Sequence, residues 1–284
     1  MAAIGVHLPQ LVERPTRAAM AEGVECAVAA ERLGYDAVSV NDHVVYHGPW
    51  LDGPALLAAA AARTTTIRLA TTVLLPAVRG AAVTAQTLTA LHLLSGGRLV
   101  AGLGAGSHRG DYDACGLEFE RRGAAFEAAV AEVRRRCPDG PAIWIGSWGA
   151  RAPLRRVARL ADGWVASAYA ASPEEFGERW ARLQDVLAAE GRDPHGFPNI
   201  VATLFFCIDD DRRAAADVIA RRLAPALGRS PAELLPHCAF GTAEQVRERI
   251  AAYADAGAQQ INLWPAADPL AQIEALAEAV LSRA

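Results

Sequence analysis

Short apolar runs of β-type sequence alternate with Ala-rich helical runs along the whole chain, and this alternation restricts the possible folds. Strands that are apolar on both faces are typical of a parallel sheet covered by helices on both sides. Eight runs read as strands, each followed by at least one helix: residues 4–8, 37–40, 67–75, 98–103, 142–145, 163–166, 200–208 and 260–264. Eight such units in 284 residues predict a (β/α)8 TIM barrel.

The chain shows no internal boundary. No Ser/Gly-rich linker or change in composition divides it, so we predict a single domain over residues 1–284, with a last helix over 269–283. The alternative is an open, doubly wound sheet, which would require a glycine-rich nucleotide-binding motif after the first strand. Leu-Pro-Gln stands there instead.

Composition excludes several classes of function. All 28 basic residues are arginines, which excludes Schiff-base and pyridoxal-phosphate chemistry and the P-loop lysine. The formal net charge of -4 offers no basic surface for nucleic acid, so no nucleic-acid partner is predicted. The longest apolar run, residues 54–62, is far shorter than the roughly 20 residues of a membrane span, so no membrane partner is predicted.

The five cysteines are widely spaced and form no C-x-x-C pair. A disulfide framework or a zinc ribbon is therefore not expected, and a reducing compartment fits. The first residues lack a basic segment followed by an apolar one, so we expect no signal peptide. Together these features predict a cytoplasmic protein.

The loop after the second predicted strand is dense in reactive side chains. Barrel active sites lie in the loops that follow the strands. We predict His43 and Asp42 as catalytic residues, because a carboxylate beside an imidazole sets its tautomer and charge for proton transfer. A histidine that only caps the loop is the alternative. Nearby aromatic residues are predicted to line a substrate pocket with the first and last strands: His7, Tyr46, Trp50 and Trp264.

A metal site is not predicted in this loop. His43 and His47 have a spacing that could bind a metal on a helix. However, no Glu lies between them, and Gly48-Pro49 follows at once. A metal-dependent TIM-barrel hydrolase is therefore a remote alternative, since the H-x-H that it would carry on strand one is missing as well.

Three further loops carry residue types that suit a flat, anionic ligand. Two threonines end strand three, a Gly-x-Gly turn follows strand four, and small residues lead from strand five into a helix. A helix N-terminus favours an anion through its free N–H groups and its dipole. Ordinary turns and caps would look similar. We predict that such a ligand is held by Thr71, Thr72, Gly104, Gly106, Ser107, Gly146, Ser147, Trp148 and Gly149.

Taken together, several segments resemble the luciferase-like monooxygenase superfamily, particularly its deazaflavin-dependent branch. No single segment is decisive, but their order and spacing are specific. The resemblance covers nearly the whole chain and is carried by residues 5–10, 33–43, 59–76, 94–106, 143–146, 159–164 and 240–242.

The resemblance implies a cofactor at the carboxyl-terminal mouth of the barrel. Members bind either coenzyme F420, used for hydride transfer, or flavin mononucleotide (FMN), used with oxygen. The Asp42-His43 pair looks like the motif of the deazaflavin branch. The threonines fall where the family lines the ring, and the glycine-rich loops fall where it holds the ribityl phosphate. A cis peptide bond between Thr72 and Val73 is implied as well.

These observations predict a coenzyme F420-dependent oxidoreductase that moves a hydride to or from a small organic substrate. An FMN-dependent monooxygenase is the nearest alternative. The resemblance further implies a homodimer and allows for a separate flavin or deazaflavin reductase as a partner. Two departures affect the pocket. Only residues 137–142 separate the preceding helix from strand five, where the family usually carries a longer segment. In addition, Ser107 stands where a Trp is common, and Asp111-Tyr112 replaces the usual Glu-Phe.

Overall fold

The computed structural model describes residues 2–281 and shows a closed barrel of parallel strands surrounded by helices, so the predicted TIM barrel is confirmed. Met1 and residues 282–284, which include the end of the predicted last helix and both ends of the predicted domain, lie outside the described residues. No helix within residues 2–281 is long and apolar enough to cross a bilayer.

Eight strands close the barrel and a ninth is attached to its rim. The order around the barrel is β1-β2-β3-β4-β5-β6-β7-β9, closed by the parallel pairing of β9 with β1. The strands are β1 (Ala3–His7), β2 (Ala37–Val40), β3 (Arg68–Leu74), β4 (Leu99–Leu103), β5 (Ile143–Gly146), β6 (Gly163–Ser167), β7 (Asn199–Ile208), β8 (Ala239–Gly241) and β9 (Gln260–Pro265).

Strand β8 is absent from the sequence prediction. It pairs with the end of β7, from Phe206 to Ile208, and the last two of these residues lie beyond the pairing of β7 with β9. Three residues are too few to show the alternation of apolar and polar residues by which a strand is recognised in a sequence. The pairing depends on the unusual length of β7, which is ten residues.

The helices follow the predicted positions, with added short ones. They are α1 (Arg17–Leu33), α2 (Gly53–Ala61), α3 (Pro76–Arg79), α4 (Ala81–Leu94), α5 (Arg109–Ala114), α6 (Arg122–Arg136), α7 (Arg151–Leu160), α8 (Pro173–Ala189), α9 (Arg212–Val218), α10 (Ala224–Ala226), α11 (Pro231–Leu234), α12 (Ala243–Asp255) and α13 (Pro269–Val280). Single 3₁₀ turns cover Phe119–Arg121, Ala168–Ala170 and Leu235–His237.

The helix predicted over 212–227 is interrupted. A π-helical turn at Ile219–Leu223 separates α9 from α10. Pro225 lies just beyond this turn and has no N–H with which to continue the α-helical ladder. The interruption lies just before Leu227, Gly228 and Arg229, which reach the functional end of the barrel.

The two faces of the strands have different roles. Outward-facing residues such as Val6, Val38 and Leu103 pack against the helices in the main hydrophobic core. Inside the barrel, Trp144 lies against Gly163, where an added Cβ would come within 2.5 Å of the indole. A smaller apolar cluster fills the interior, consisting of Val73, Trp144, Val165, Ile200 and Ala202.

The peptide bond between Thr72 and Val73 is cis, as the resemblance implied. The register between β3 and β4 shifts in the same stretch, between Thr71 and Leu74.

His7 lies inside the barrel and has no exposed surface. Its ring stacks on Trp264 with centroids 3.6 Å apart and planes 9° from parallel. Nδ1 lies 2.8 Å from the carbonyl oxygen of Leu8, so the neutral ring donates its proton there, and Nε2 is buried with no hydrogen-bond partner among residues 2–281. Burial, only partly offset by the bond to Leu8, lowers the pKa of His7 to about 3.

We predict that His7 makes the protein sensitive to acid. The ordinary pKa of a histidine is 6.5, and that of His7 in the folded protein is about 3, so between these values the unfolded chain binds one more proton at this residue. Through this residue alone, each pH unit of acidification therefore lowers the free energy of unfolding by about 1.4 kcal/mol. The stability that depends on neutral His7 is fully present only above pH 6.5.

Urea unfolding of wild type and His7→Gln between about pH 6 and pH 4 tests this prediction. Glutamine does not titrate, so the slope of unfolding free energy against pH should become shallower by up to about 1.4 kcal/mol per pH unit. His195→Gln, which removes an exposed imidazole, is the control and should keep the wild-type slope. Equal slopes for wild type and His7→Gln would contradict the buried, neutral state of His7.

Candidate functional site

A cavity of about 790 Å³ opens at the carboxyl-terminal ends of the barrel strands. Its size lies within the range for sites that enclose a cofactor or small ligand. Most of the predicted site residues line it: Asp42, His43, Tyr46, Trp50, Thr72, Gly104, Gly106, Ser107, Gly146, Ser147, Trp148 and Trp264.

The centre of the site is a hydrogen-bonded pair of side chains that joins two loops. Nδ1 of His43, after β2, lies 2.8 Å from Oδ2 of Asp111, after β4. Asp111 is fully buried, and its Oδ1 accepts hydrogen bonds from the backbone N–H groups of Val44 and Val45 at 2.7 and 3.0 Å. Burial alone would raise the pKa of Asp111, but the bonds from His43 and these N–H groups outweigh it and leave the pKa below its ordinary value.

Asp42 does not assist His43, and this part of the sequence prediction is wrong. Its carboxylate is completely buried and forms a two-point ion pair with Arg79, at 2.7 and 2.8 Å. Oδ2 also accepts the backbone N–H of Leu75 at 3.0 Å. Because neighbouring residues at the end of a strand point in different directions, Asp42 ties β2 to the β3 loop while His43 faces the cavity.

Aromatic rings surround His43. Tyr46 and Trp50 lie 4.1 and 4.8 Å from its ring centroid, and His108 lies 5.9 Å away. Burial, together with the neighbouring His43 and His47, holds the pKa of His108 below its ordinary value despite the charge of Asp111. These rings exclude water from one side of the imidazole.

Val73 forms a ridge on the wall of the cavity. A Cβ added to Gly104 would lie 2.3 Å from Val73 Cγ2, and one added to Gly146 would lie 2.9 Å from Cγ1. The two glycines therefore leave the space that the valine side chain fills. Thr72 is also on this wall, with its hydroxyl 3.4 Å from the carbonyl of Val40. An apolar ridge between small residues suits one face of a flat ring.

Three predicted residues do not reach the cavity. Thr71 is fully buried and donates to the carbonyl of Gly102 at 2.7 Å. Gly149, at φ +87°, faces Arg179, where an added Cβ would lie 2.2 Å from Cδ. His7 is covered by Trp264. These placements arise because strand residues alternate between faces and because a glycine can be required by a tight backbone turn rather than by a ligand.

The opposite end of the cavity is suited to an anion. Helix α7 begins after Ala150, which has no side chain that can cap the first N–H groups. Ala150, Pro153, Arg156 and Arg122 line this end. Arg156 is paired through Nε to Glu127 at 2.9 Å, while its terminal nitrogens make no hydrogen bond within residues 2–281. A free helix N-terminus beside a guanidinium is a favourable site for a phosphate.

Sequence reasoning missed several residues of the site. Asp111 was noted only as a departure from the family pattern, although an acidic residue shortly after a barrel strand is itself a signal. No local sequence pattern marks the other missed residues, because only the fold brings them to the cavity: Val73, Arg122, Arg156 and Arg229. Thr203 also lines the cavity, with φ +61° where β7 shifts register against β9. Such a φ is rare for a β-branched residue.

No group of three or more His, Cys, Asp or Glu side chains within residues 2–281 is arranged to hold a metal ion. His43 and His47 both line the cavity, but one ring is bonded to Asp111 and the other packs against Gly228.

Comparison with characterised proteins finds several relatives. The chain is 29% identical over 217 residues to 5,10-methylenetetrahydromethanopterin reductase of Methanolobus tindarius, covering 68% of this chain and 64% of that protein. It is 36% identical over 121 residues to F420-dependent glucose-6-phosphate dehydrogenase of Amycolatopsis mediterranei, covering 39% and 36%. The matched stretches thus span less than two thirds of either relative.

Solved structures share the fold over the whole chain. An F420-dependent secondary alcohol dehydrogenase with an F420-acetone adduct superposes with a TM-score of 0.82 at 17% identity, covering 99% of this chain and 98% of that one. A monooxygenase from Streptomyces bottropensis gives 0.82 at 20% identity, covering 99% of each chain. At these identities the similarity concerns the fold alone.

The sequence profile of one family matches most of the chain. Residues 3–139 and 123–260 each match the family described as luciferase-like monooxygenase. The two matches together include every strand of the barrel except β9, of which only Gln260 is matched. The chain belongs to the luciferase-like monooxygenase family.

Proposed function

We propose that this protein is a coenzyme F420-dependent oxidoreductase that transfers a hydride between the deazaflavin and a small organic substrate. The observation that carries the proposal is His43, held by buried Asp111 at the mouth of the cavity. A relative named F420-dependent glucose-6-phosphate dehydrogenase supports it. An F420-dependent alcohol dehydrogenase also shares the fold.

The residues present fit such a cofactor. The Val73 ridge between Gly104 and Gly146 offers an apolar wall for a planar ring. The uncapped start of α7, with Arg156 and Arg122, would hold an anionic group of the cofactor. When bound, the deazaflavin supplies the site of hydride exchange at C5 of its ring.

The protein's contribution is orientation and proton transfer. Asp111 accepts the Nδ1 hydrogen of His43, so the neutral ring keeps Nε2 free of a proton. In oxidation, Nε2 accepts the proton from a substrate hydroxyl as the carbon loses a hydride. In reduction, the protonated ring returns that proton to the carbonyl oxygen. The buried carboxylate of Asp111, bonded to Nδ1, holds the ring in one orientation in both directions of the reaction.

An FMN-dependent monooxygenase is the second candidate. A monooxygenase superposes as well as the F420-dependent dehydrogenase does, with a TM-score of 0.82 for both, so the fold favours neither. The His43–Asp111 pair favours hydride transfer because that reaction needs a proton donor or acceptor at the substrate oxygen. A separate reductase would be a partner in the monooxygenase case.

We further propose a cytoplasmic homodimer. Helix α4 contains no charged residue, and its outer face exposes Val83, Leu93 and Leu94 by 56%, 73% and 50%. A contiguous uncharged face of this kind supports a protein–protein contact. The absence of a C-x-x-C pair supports a reducing compartment.

We expect F420 to bind at least tenfold more tightly than FMN, a difference of about 1.4 kcal/mol. Titration of the protein with each cofactor, followed by quenching of tryptophan fluorescence, gives both dissociation constants. Trp148 and Trp264 line the cavity and would report binding. Equal or reversed affinities would favour the monooxygenase.

We predict that charge at residue 150 controls cofactor binding. Ala150→Asp and Ala150→Asn both supply a side chain that can cap α7, but only aspartate places a negative charge beside the anion site. Aspartate should weaken cofactor binding roughly tenfold relative to asparagine, and less at high salt. Gly149 is unsuitable for this test because any Cβ there meets Arg179. Equal binding by the two variants would place the cofactor anion elsewhere.

We predict different effects for the two aspartates. Asp111→Asn removes the charge that orients and stabilises His43, so kcat should fall by about 10² or more, as in His43→Ala, with cofactor affinity within a few-fold. Asp42→Asn should instead lower the melting temperature, because Arg79 loses a buried partner. Turnover, cofactor titration and thermal unfolding of the three variants separate these roles. A larger loss of kcat in Asp42→Asn than in Asp111→Asn would reverse our assignment.

A further inference from the structure

Arg229 is a cation at the cavity that lacks a counter-ion. It is half-buried and lines the cavity. Within residues 2–281 its guanidinium forms no ion pair and no side-chain hydrogen bond. Arginines of other loops are paired, such as Arg79 with Asp42 and Arg109 with Glu120. A half-buried guanidinium without an acceptor is a favourable position for an anionic ligand.

Glu233, an acidic side chain close enough to interact with Arg229, is already engaged. Both Glu233 and Arg229 lie near the start of α11. The pKa of Glu233 is below its ordinary value, mainly because Ser230 donates hydrogen bonds to it and to a smaller extent because Arg229 is positively charged. The carboxylate of Glu233 accepts hydrogen bonds from the hydroxyl and the backbone N–H of Ser230, at 2.7 and 3.0 Å. It therefore caps the helix and does not neutralise Arg229 directly.

The position of Arg229 is set by its surroundings. Its guanidinium carbon lies 3.9 Å from the centre of the Tyr169 ring, and its backbone N–H donates to Ala224 at 3.0 Å. The preceding Gly228 has φ +63° and lies against His47, where an added Cβ would come within 2.9 Å of Nε2. A cation held in this way loses little conformational freedom when it binds a ligand.

Arg229 and His43 belong to the same end of the cavity. Tyr46 lies 4.1 Å from the His43 ring, and Arg229 is close enough to Tyr46 to oppose the burial that raises the pKa of that phenol. The one carboxylate bonded to His43, that of Asp111, has both oxygens occupied. The walls between are aromatic, formed by Trp50, Phe205, Trp264 and Tyr169.

We infer that the substrate is a small aromatic organic anion, with a carboxylate or another oxyanion bound by Arg229 and its reacting oxygen at His43. The reaction at His43 rests on the proposed function, whereas the anion site rests on Arg229 alone. The aromatic walls would cover a planar body. The guanidinium would take the oxyanion through two parallel hydrogen bonds.

Direct binding of three probes tests the inference without turnover: benzoate, phenyl phosphate and the neutral benzamide. Each is titrated by calorimetry into the full chain, with and without bound deazaflavin. Wild type should bind at least one of the two anions about tenfold or more tightly than benzamide. Arg229→Gln should remove this preference while leaving benzamide binding and cofactor affinity within a few-fold.

Arg221→Gln is the matched control. It removes one positive charge from the same segment, but Arg221 has an exposed side chain beside Asp217 and does not line the cavity. It should retain the wild-type preference for the anion. Tighter binding of phenyl phosphate than of benzoate would assign a phosphorylated substrate, and the reverse would assign a carboxylic acid.

Three outcomes would overturn the inference: no saturable binding of either anion, equal affinity for benzoate, phenyl phosphate and benzamide, or loss of cofactor binding rather than anion binding in Arg229→Gln. The last would mean that Arg229 holds the cofactor. Anion binding that depends on Arg229, in a protein that does not bind deazaflavin, would support the anion site and refute the proposed function. Failure of the anion site and failure of the proposed function therefore give different results.

Discussion

Closure of the barrel is the constraint on which the rest of the structure depends. The pairings of β9 with β1 and of β6 with β7 complete the ring, so the carboxyl ends of all its strands meet at one rim. The interior below is filled by Trp144 and its apolar neighbours. The cavity can therefore form only among the loops above, where residues distant in sequence become neighbours.

Buried carboxylates connect those loops. Asp111 binds His43 and two backbone N–H groups of the loop after β2, and Asp42 binds Arg79 and the backbone of Leu75 after β3. A buried charge is costly unless it is paired and hydrogen-bonded. Because each carboxylate has such partners, the two aspartates fix the relative positions of three loops, and one of them also sets the proton state of the imidazole.

Charge is distributed unevenly around the cavity. One end has an uncapped helix start and Arg156, and the other has Arg229 and the His43–Asp111 pair. Between them lies the apolar ridge of Val73. This arrangement would accommodate the proposed cofactor, anionic at one end and flat in the middle, together with the proposed anionic substrate near the imidazole. Because the chain contains no lysine, guanidinium groups, backbone N–H groups and hydroxyls are the donors available to an anion.

The sequence by itself determined the barrel, most strand positions and the set of loops that form the site. It could do so because local signals, such as Gly34 ending α1 with φ +84° and the Ser172–Glu175 capping box of α8, agree with the alternation of strands and helices. Only the tertiary structure decided that Asp111, rather than Asp42, partners His43, that Thr71 faces away from the cavity, and that Arg229 reaches it. These outcomes depend on contacts between distant loops, such as that of His43 with Asp111, 68 residues apart, and on which face of a strand a residue occupies. Neither follows from adjacency in the chain.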